Sequence, residues 1–169
     1  SPDGRGIILS AAHRADLESP VRAMPLKSWV GEDAFSEFTA EFPRLFRANR
    51  PYRVAWIPKG PSAALATVMA ALPTASVVPV PASEVPSVCA LLASLAHARD
   101  KLLHNGDSVI RGQVKSSKRA NVGDGWRFER RERMSDDTVH GLYSLALAAA
   151  SAYRSTRRTY KSIHSEEET

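Results

Sequence analysis

Two adjacent carboxylates, Asp136 and Asp137, stand immediately ahead of an alanine-rich segment of helical periodicity. That placement supports two chemistries. A carboxylate at a helix start accepts hydrogen bonds from orphan backbone N–H groups and meets the positive end of the helix. The same residues can ligate Mg²⁺ or Mn²⁺, hard cations that prefer oxygen; phosphodiester hydrolysis needs several such carboxylates converging so that metal ions steady both attacking and leaving oxygens. One pair cannot build that site alone, and both readings stay open. The histidines, His13, His97, His104, His140 and His164, lack ligand spacing and read as surface or capping residues. Cys89 is the single cysteine, so an internal disulfide and a Cys-x-x-Cys clasp are excluded and a reducing compartment is expected. A P-loop, a G-x-G-x-x-G turn and a G-x-S-x-G elbow are all missing, which sets aside nucleotide cradling and serine-hydrolase chemistry.

The second chemical signal is charge. The net charge of +5 is concentrated between Arg111 and Arg133, where Arg111, Lys115, Lys118, Arg119, Arg127, Arg130, Arg131 and Arg133 face only Asp124, Glu129 and Glu132. Such a cluster suits a polyanion. Six of these residues, Lys115, Lys118, Arg119, Arg127, Arg130 and Arg131, are the candidate phosphate contacts.

The elements that must hold these groups follow from periodicity. At 169 residues, with 43% apolar and 24% charged residues, the composition is that of one globular domain. Ile7 to Ala12 and Val21 to Trp29 read as a strand hairpin, and Ala34 to Phe46 as an amphipathic helix with Phe35, Phe38, Phe42, Leu45 and Phe46 as core and Pro43 as a kink point. Arg53 to Ile57 and Val77 to Val80 read as buried strands, each followed by a helix, starting at Gly60 and Ser83; that order implies a crossover between parallel strands. Asn105-Gly106-Asp107 caps a short helix through Ile110 and Val114, and Gly123 to Arg131 forms a strand or hairpin arm. A final helix from Thr138 to about Tyr153 buries Val139, Leu142, Leu145, Ala146, Ala149 and Tyr153, leaving 154–169 as a polar tail. The uncharged run Pro61 to Ser83 is interrupted by Pro73, Pro79 and Pro81, so no membrane span is expected there. The first residue is Ser1, which suggests a segment excised from something longer.

Taken in order, VAWIPKGPSAAL, ASEVPSVCALL and LLHNGDSVIRGQVKSSKRANVGDGWRFERRERMSDDTVHGLYSLALAAASA resemble the C-terminal nuclease domain of tailed-phage terminase large subunits, of the actinobacterial-phage type. The resemblance covers about Ser1 to Tyr153 and rests on collinearity of individually weak motifs. It implies an α/β domain over 1–153 with a ribonuclease H-like mixed sheet flanked by helices, its first strand truncated at the start. It implies metal-dependent cleavage of concatemeric double-stranded DNA with Mg²⁺ or Mn²⁺, an ATPase on an N-terminal part of the parent chain, and the portal and small terminase subunit as partners. The setting would be the host bacterial cytoplasm, away from membranes, with oligomers formed only within the full motor.

Carried over by position, Asp137 matches the family's last acidic residue, with Asp136 beside it as a second ligand. The family's second aspartate is replaced by Ile57, directly before Pro58. The first precedes a Ser-Pro-Asp like Ser1-Pro2-Asp3, placing it upstream of the chain. Because isoleucine cannot bind a metal, Asp3, Asp136, Glu84 and Asp124 are the candidate substitutes; turn formation at Asp3 and Asp124 and helix capping at Glu84 are the alternative accounts. A catalytically degenerate module that binds DNA or docks to a portal is the second functional reading.

Overall fold

The structure is a computed structural model that describes residues 6–73, 76–131 and 139–164, with side chains omitted at 61 and beyond 155. Its elements run β1 (Gly6–His13), β2 (Val21–Val30), α1 (Ala34–Asn49), β3 (Val54–Trp56), α2 (Ala66–Ala70), β4 (Val77–Pro79), α3 (Val85–His97), β5 (Leu102–Leu103), α4 (Ser108–Ser116), β6 (Ser117–Val122), β7 (Gly125–Arg130) and α5 (His140–His164). The chain is thus mixed α/β. The strands are divided among three small sheets: β1-β2-β5, β3-β4 and β6-β7.

The expected first hairpin is present, with β1 antiparallel to β2 from Gly6↔Val30 to His13↔Arg22. Its register shifts between Leu9, opposite Lys27, and Ser10, opposite Pro25, so Leu26 is the extra residue. Pro25 has no N–H to donate, which explains why the ladder breaks there. The shift has a packing consequence. Val21 and Ala23, before it, enter one core cluster with Val88, Leu92, Leu145, Ala146 and Ala149. Trp29, of the same parity but after it, enters the other with Phe38, Phe42, Val68, Met69 and Leu72. A one-residue slip exchanges faces, so a single strand serves both layers.

The crossover is also as expected: β3 and β4 are parallel, Val54↔Val77 to Trp56↔Pro79. Val54 and Trp56 pack towards the α1 and α2 side, whereas Ala55 and Ile57 pack towards α3 and α5. Both helices after these strands begin as 3-10 turns, Gly60–Leu65 and Ala82–Glu84. At Gly60, φ is +66°, a left-handed conformation that glycine adopts without steric cost.

The phenylalanine helix α1 runs unbroken through Pro43 to Asn49. Phe38 stacks on Phe42 at 4.8 Å and meets Trp29 edge-on at 5.1 Å. Phe35 departs from its expected core role, being 39% exposed. The last helix starts at His140, two residues later than expected, and continues past Tyr153 into the stretch read as a polar tail. Its early Leu142 N–H donates to Oε1 of Gln113 at 3.2 Å, so an orphan amide of α5 is met by α4 rather than by a local side chain. Gln113 is itself only 5% exposed and is the buried polar partner of that helix end. Among the described residues, no helix is long and apolar enough to cross a membrane.

Candidate functional site

Two regions carry the residues singled out by type and spacing. The first is the β6–β7 arm, a hairpin paired Ser117↔Arg130 through Val122↔Gly125. Gly123 in its turn has φ +57°, suited to a two-residue connection whose twist matches the strands. Directly opposite residues share a face, which places Arg119, Phe128, Trp126 and Asn121 on one side and Lys118, Glu129, Ala120 and Arg127 on the other. The aromatic side docks. Trp126 meets Phe128 edge-on at 5.2 Å, Phe128 meets Tyr143 of α5 at 5.9 Å, and the Tyr143 hydroxyl donates to Phe128 O at 2.6 Å. Burial there pushes the Tyr143 phenol up to about 12. Cys89, buried on α3, has its thiol raised by the same cause, which makes it an inert packing residue.

The six basic candidates do not form one surface. Lys118 pairs with Glu129 across the strands at 3.5 Å, and Arg119 lies over the Trp126 ring at 4.5 Å. Lys115 is exposed in the last turn of α4. Arg131, exposed just after β7, closes the hairpin base through its backbone N–H to Ser116 O at 2.7 Å. Arg127 and Arg130 instead reach the second region.

That region is a groove of about 1410 Å³ between β1 and β3. The whole of β1 lines it, together with Val54 to Ile57, the Phe35, Phe38 and Phe42 side of α1, and Val139, His140, Tyr143, Ser144 and Leu147 of α5. Its charged lining is one-sided: Arg14, Lys27, Arg53, Lys59, Arg127 and Arg130, with no Asp or Glu among the described lining residues. Lys27 is held by Glu41, which also accepts from Trp29 Nε1 at 3.0 Å, and the two bonds hold the Glu41 carboxyl below the usual carboxylate range. Arg14 is tied down as well, donating to the carbonyls of Leu17 and Ser19 and lying over Tyr153 at 4.6 Å. Periodicity and spacing had not singled out Arg14, Arg53 or Lys59; the Pro58-Lys59-Gly60 turn after β3 was the local signal for the last.

Asp3, Asp136 and Asp137 lie outside the described residues. The residues flanking them, Gly6 and Val139, line the groove, and so does Ile57. Glu84 does not act as a side-chain cap; it forms an ion pair with Arg154 of α5 at 3.1 Å. Asp124 occupies the hairpin turn. His104 does take a capping role, its Nδ1 accepting from Gly106 N–H at 3.0 Å ahead of α4, whose N-cap Asp107 accepts from Ile110 N–H at 3.0 Å. No group of three His, Cys, Asp or Glu able to hold a metal occurs among the described residues. An isoleucine at the groove wall and a lining of cations do not fit a Mg²⁺ or Mn²⁺ site, so a bound ion would depend on Asp3, Asp136 or Asp137.

The fold and site define a mixed α/β protein with a cationic, apolar-walled groove beside an arginine-bearing hairpin. The chain matches no protein-family model, no curated protein and no solved structure.

Proposed function

We propose that this chain is the nuclease domain of a DNA-packaging terminase, built on a ribonuclease H-like plan and engaging double-stranded DNA through its basic groove and hairpin. One observation carries the reading. Ile57 and the residues that flank Asp3 and Asp136-Asp137 all border one groove, although they are far apart in sequence, and that groove is lined by cations without a carboxylate among its described residues. A cationic cleft concentrates a polyanion and releases its counterions. In this reading Asp137, with Asp136 or Asp3, supplies the carboxylates that Ile57 lacks, Mg²⁺ or Mn²⁺ is the cofactor, an upstream aspartate completes the set, and an ATPase on the parent chain drives translocation. The portal and small terminase subunit are the partners, in the host cytoplasm.

A second reading is favoured by that same carboxylate-poor lining: a degenerate module that holds DNA or docks to a portal without cutting. Mn²⁺ titration by calorimetry, with plasmid nicking in parallel, separates the two for the native chain, Asp137→Asn and Ile57→Asp. The nuclease reading expects weak Mn²⁺ binding and slow nicking in the native chain, both lost in Asp137→Asn and strengthened in Ile57→Asp. Asparagine still caps a helix well, so the fold survives the first change. Mn²⁺ binding that is unchanged in Asp137→Asn would remove that residue from the site.

A further inference from the structure

The sheets β1-β2-β5 and β3-β4 are halves of one layer. Ile7 and Leu9 of β1 and Val54 and Trp56 of β3 join the same cluster under α1 and α2. Ala12 of β1 and Ala55 and Ile57 of β3 join the other, under α3 and α5. Strands that alternate residues into the same two layers are coplanar. Yet β1 has β2 as its strand partner and β3 has β4, so each turns an edge to the groove between them. Long bare edges are a liability that folded proteins cover.

We infer that the groove is the seat of one further β-strand, inserted between β1 and β3 to make a continuous sheet in the order β5-β2-β1-insert-β3-β4, and supplied by polypeptide running into β1 from its N-terminal side. The cavity, about 1410 Å³, exceeds the roughly 300–1,000 Å³ of small-molecule pockets and is walled by two strand edges, as a peptide seat requires. Ser10 Oγ, on its wall, is a buried polar atom without a hydrogen-bond partner, while the carbonyl of Ile8 accepts from Ser144 Oγ at 2.9 Å, a side chain standing where a strand could bond. The lining of Arg53, Lys59, Arg127 and Arg130 with no carboxylate selects an insert that carries at least one acidic residue among apolar ones. Five residues precede Gly6, a connection of the length that joins antiparallel neighbours. The proposal is independent of whether the domain cleaves DNA.

The test joins an extension alternating Val and Thr around one Asp to Ser1 of the full 169-residue chain, with a control extension carrying Pro at alternate positions. Amide hydrogen exchange is followed in β1 and β3 of both and of the unextended chain. Exchange should slow by about tenfold or more in β1 and β3 together with the Val/Thr extension and stay unchanged with the Pro control, which cannot complete a ladder. Protection of β1 alone, or of neither strand, overturns the insertion. Light scattering gives a separate readout: a dimer of the unextended chain whose β1 and β3 amides are already protected would assign the groove to a second copy and overturn the proposal. DNA nicking plays no part in either readout, so the failure of the nuclease reading would leave this result standing, and the reverse.

Discussion

The β6–β7 hairpin and the groove between β1 and β3 are both rich in arginine and lysine, but they hold that charge differently. On the hairpin, Glu129 answers Lys118 and the Trp126 ring takes Arg119. In the groove, Arg53, Lys59, Arg127 and Arg130 line a wall without a carboxylate among its described residues. The difference teaches that a basic run counts charges, whereas the field a ligand meets depends on what stands opposite each one. An exposed ion pair contributes little to stability, about 0–1 kcal/mol, but it cancels much of its own field. The hairpin is therefore better understood as a docked arm that delivers two arginines to the groove than as a binding surface in its own right.

The largest expected effect concerns the apolar wall that separates groove from core. Phe38→Ala should cost about 3–5 kcal/mol in urea unfolding, because a 2%-exposed ring stacked on Phe42 and set edge-on to Trp29 leaves a cavity. Phe35→Ala, at the half-exposed groove side of the same helix, should cost less than half as much; equal losses would break the distinction between wall and core. On the hairpin side, Gly125→Ala would place its Cβ 2.7 Å from Pro86 Cβ at the contact with α3. Overpacking there should cost about 1–3 kcal/mol and shift the Trp126 emission as the arm is levered away. Emission and stability both equal to the native chain would show that the arm is not docked.

Charge sharpens the comparison next. The log–log salt dependence of duplex DNA binding should flatten by about 0.9 for each phosphate contact removed, and should do so more in the Arg127→Ala, Arg130→Ala pair than in the Lys118→Ala, Arg119→Ala pair. The reverse order would return binding to the hairpin surface. The smallest effect is at Tyr143, where the hydroxyl's bond to Phe128 O ties the arm to α5. Tyr143→Phe should cost about 0.5–1.5 kcal/mol at neutral pH. Since the folded phenol titrates near 12 against an ordinary 10, the folded state holds the proton longer. This contribution is complete below pH 10 and is lost as pH rises towards 12, so the native chain should lose stability over that window faster than Tyr143→Phe. Parallel pH curves for the two would separate Tyr143 from the docking contact.

What the sequence determined by itself is the set of elements whose signals are local. Alternation in Ile7 to Ala12 and Val21 to Trp29, the phenylalanine spacing of α1, the Asp107 cap of α4 and the glycine turn at Gly123 each depend on neighbours a few residues away, and each appears in the structure. The helix boundaries near Gly60, Thr138 and Tyr153 shifted because 3-10 geometry and the Gln113 bond to α5 are set by packing. Only tertiary structure decided the rest. The slip at Leu26 that lets β2 feed two cores depends on its pairing with β1, and the separation of β1 from β3 is a relation between distant segments. Residues 14, 53, 59, 127 and 130 converge on one groove only when three sheets and α5 are stacked around it, because electrostatic fields add in space and not along the chain.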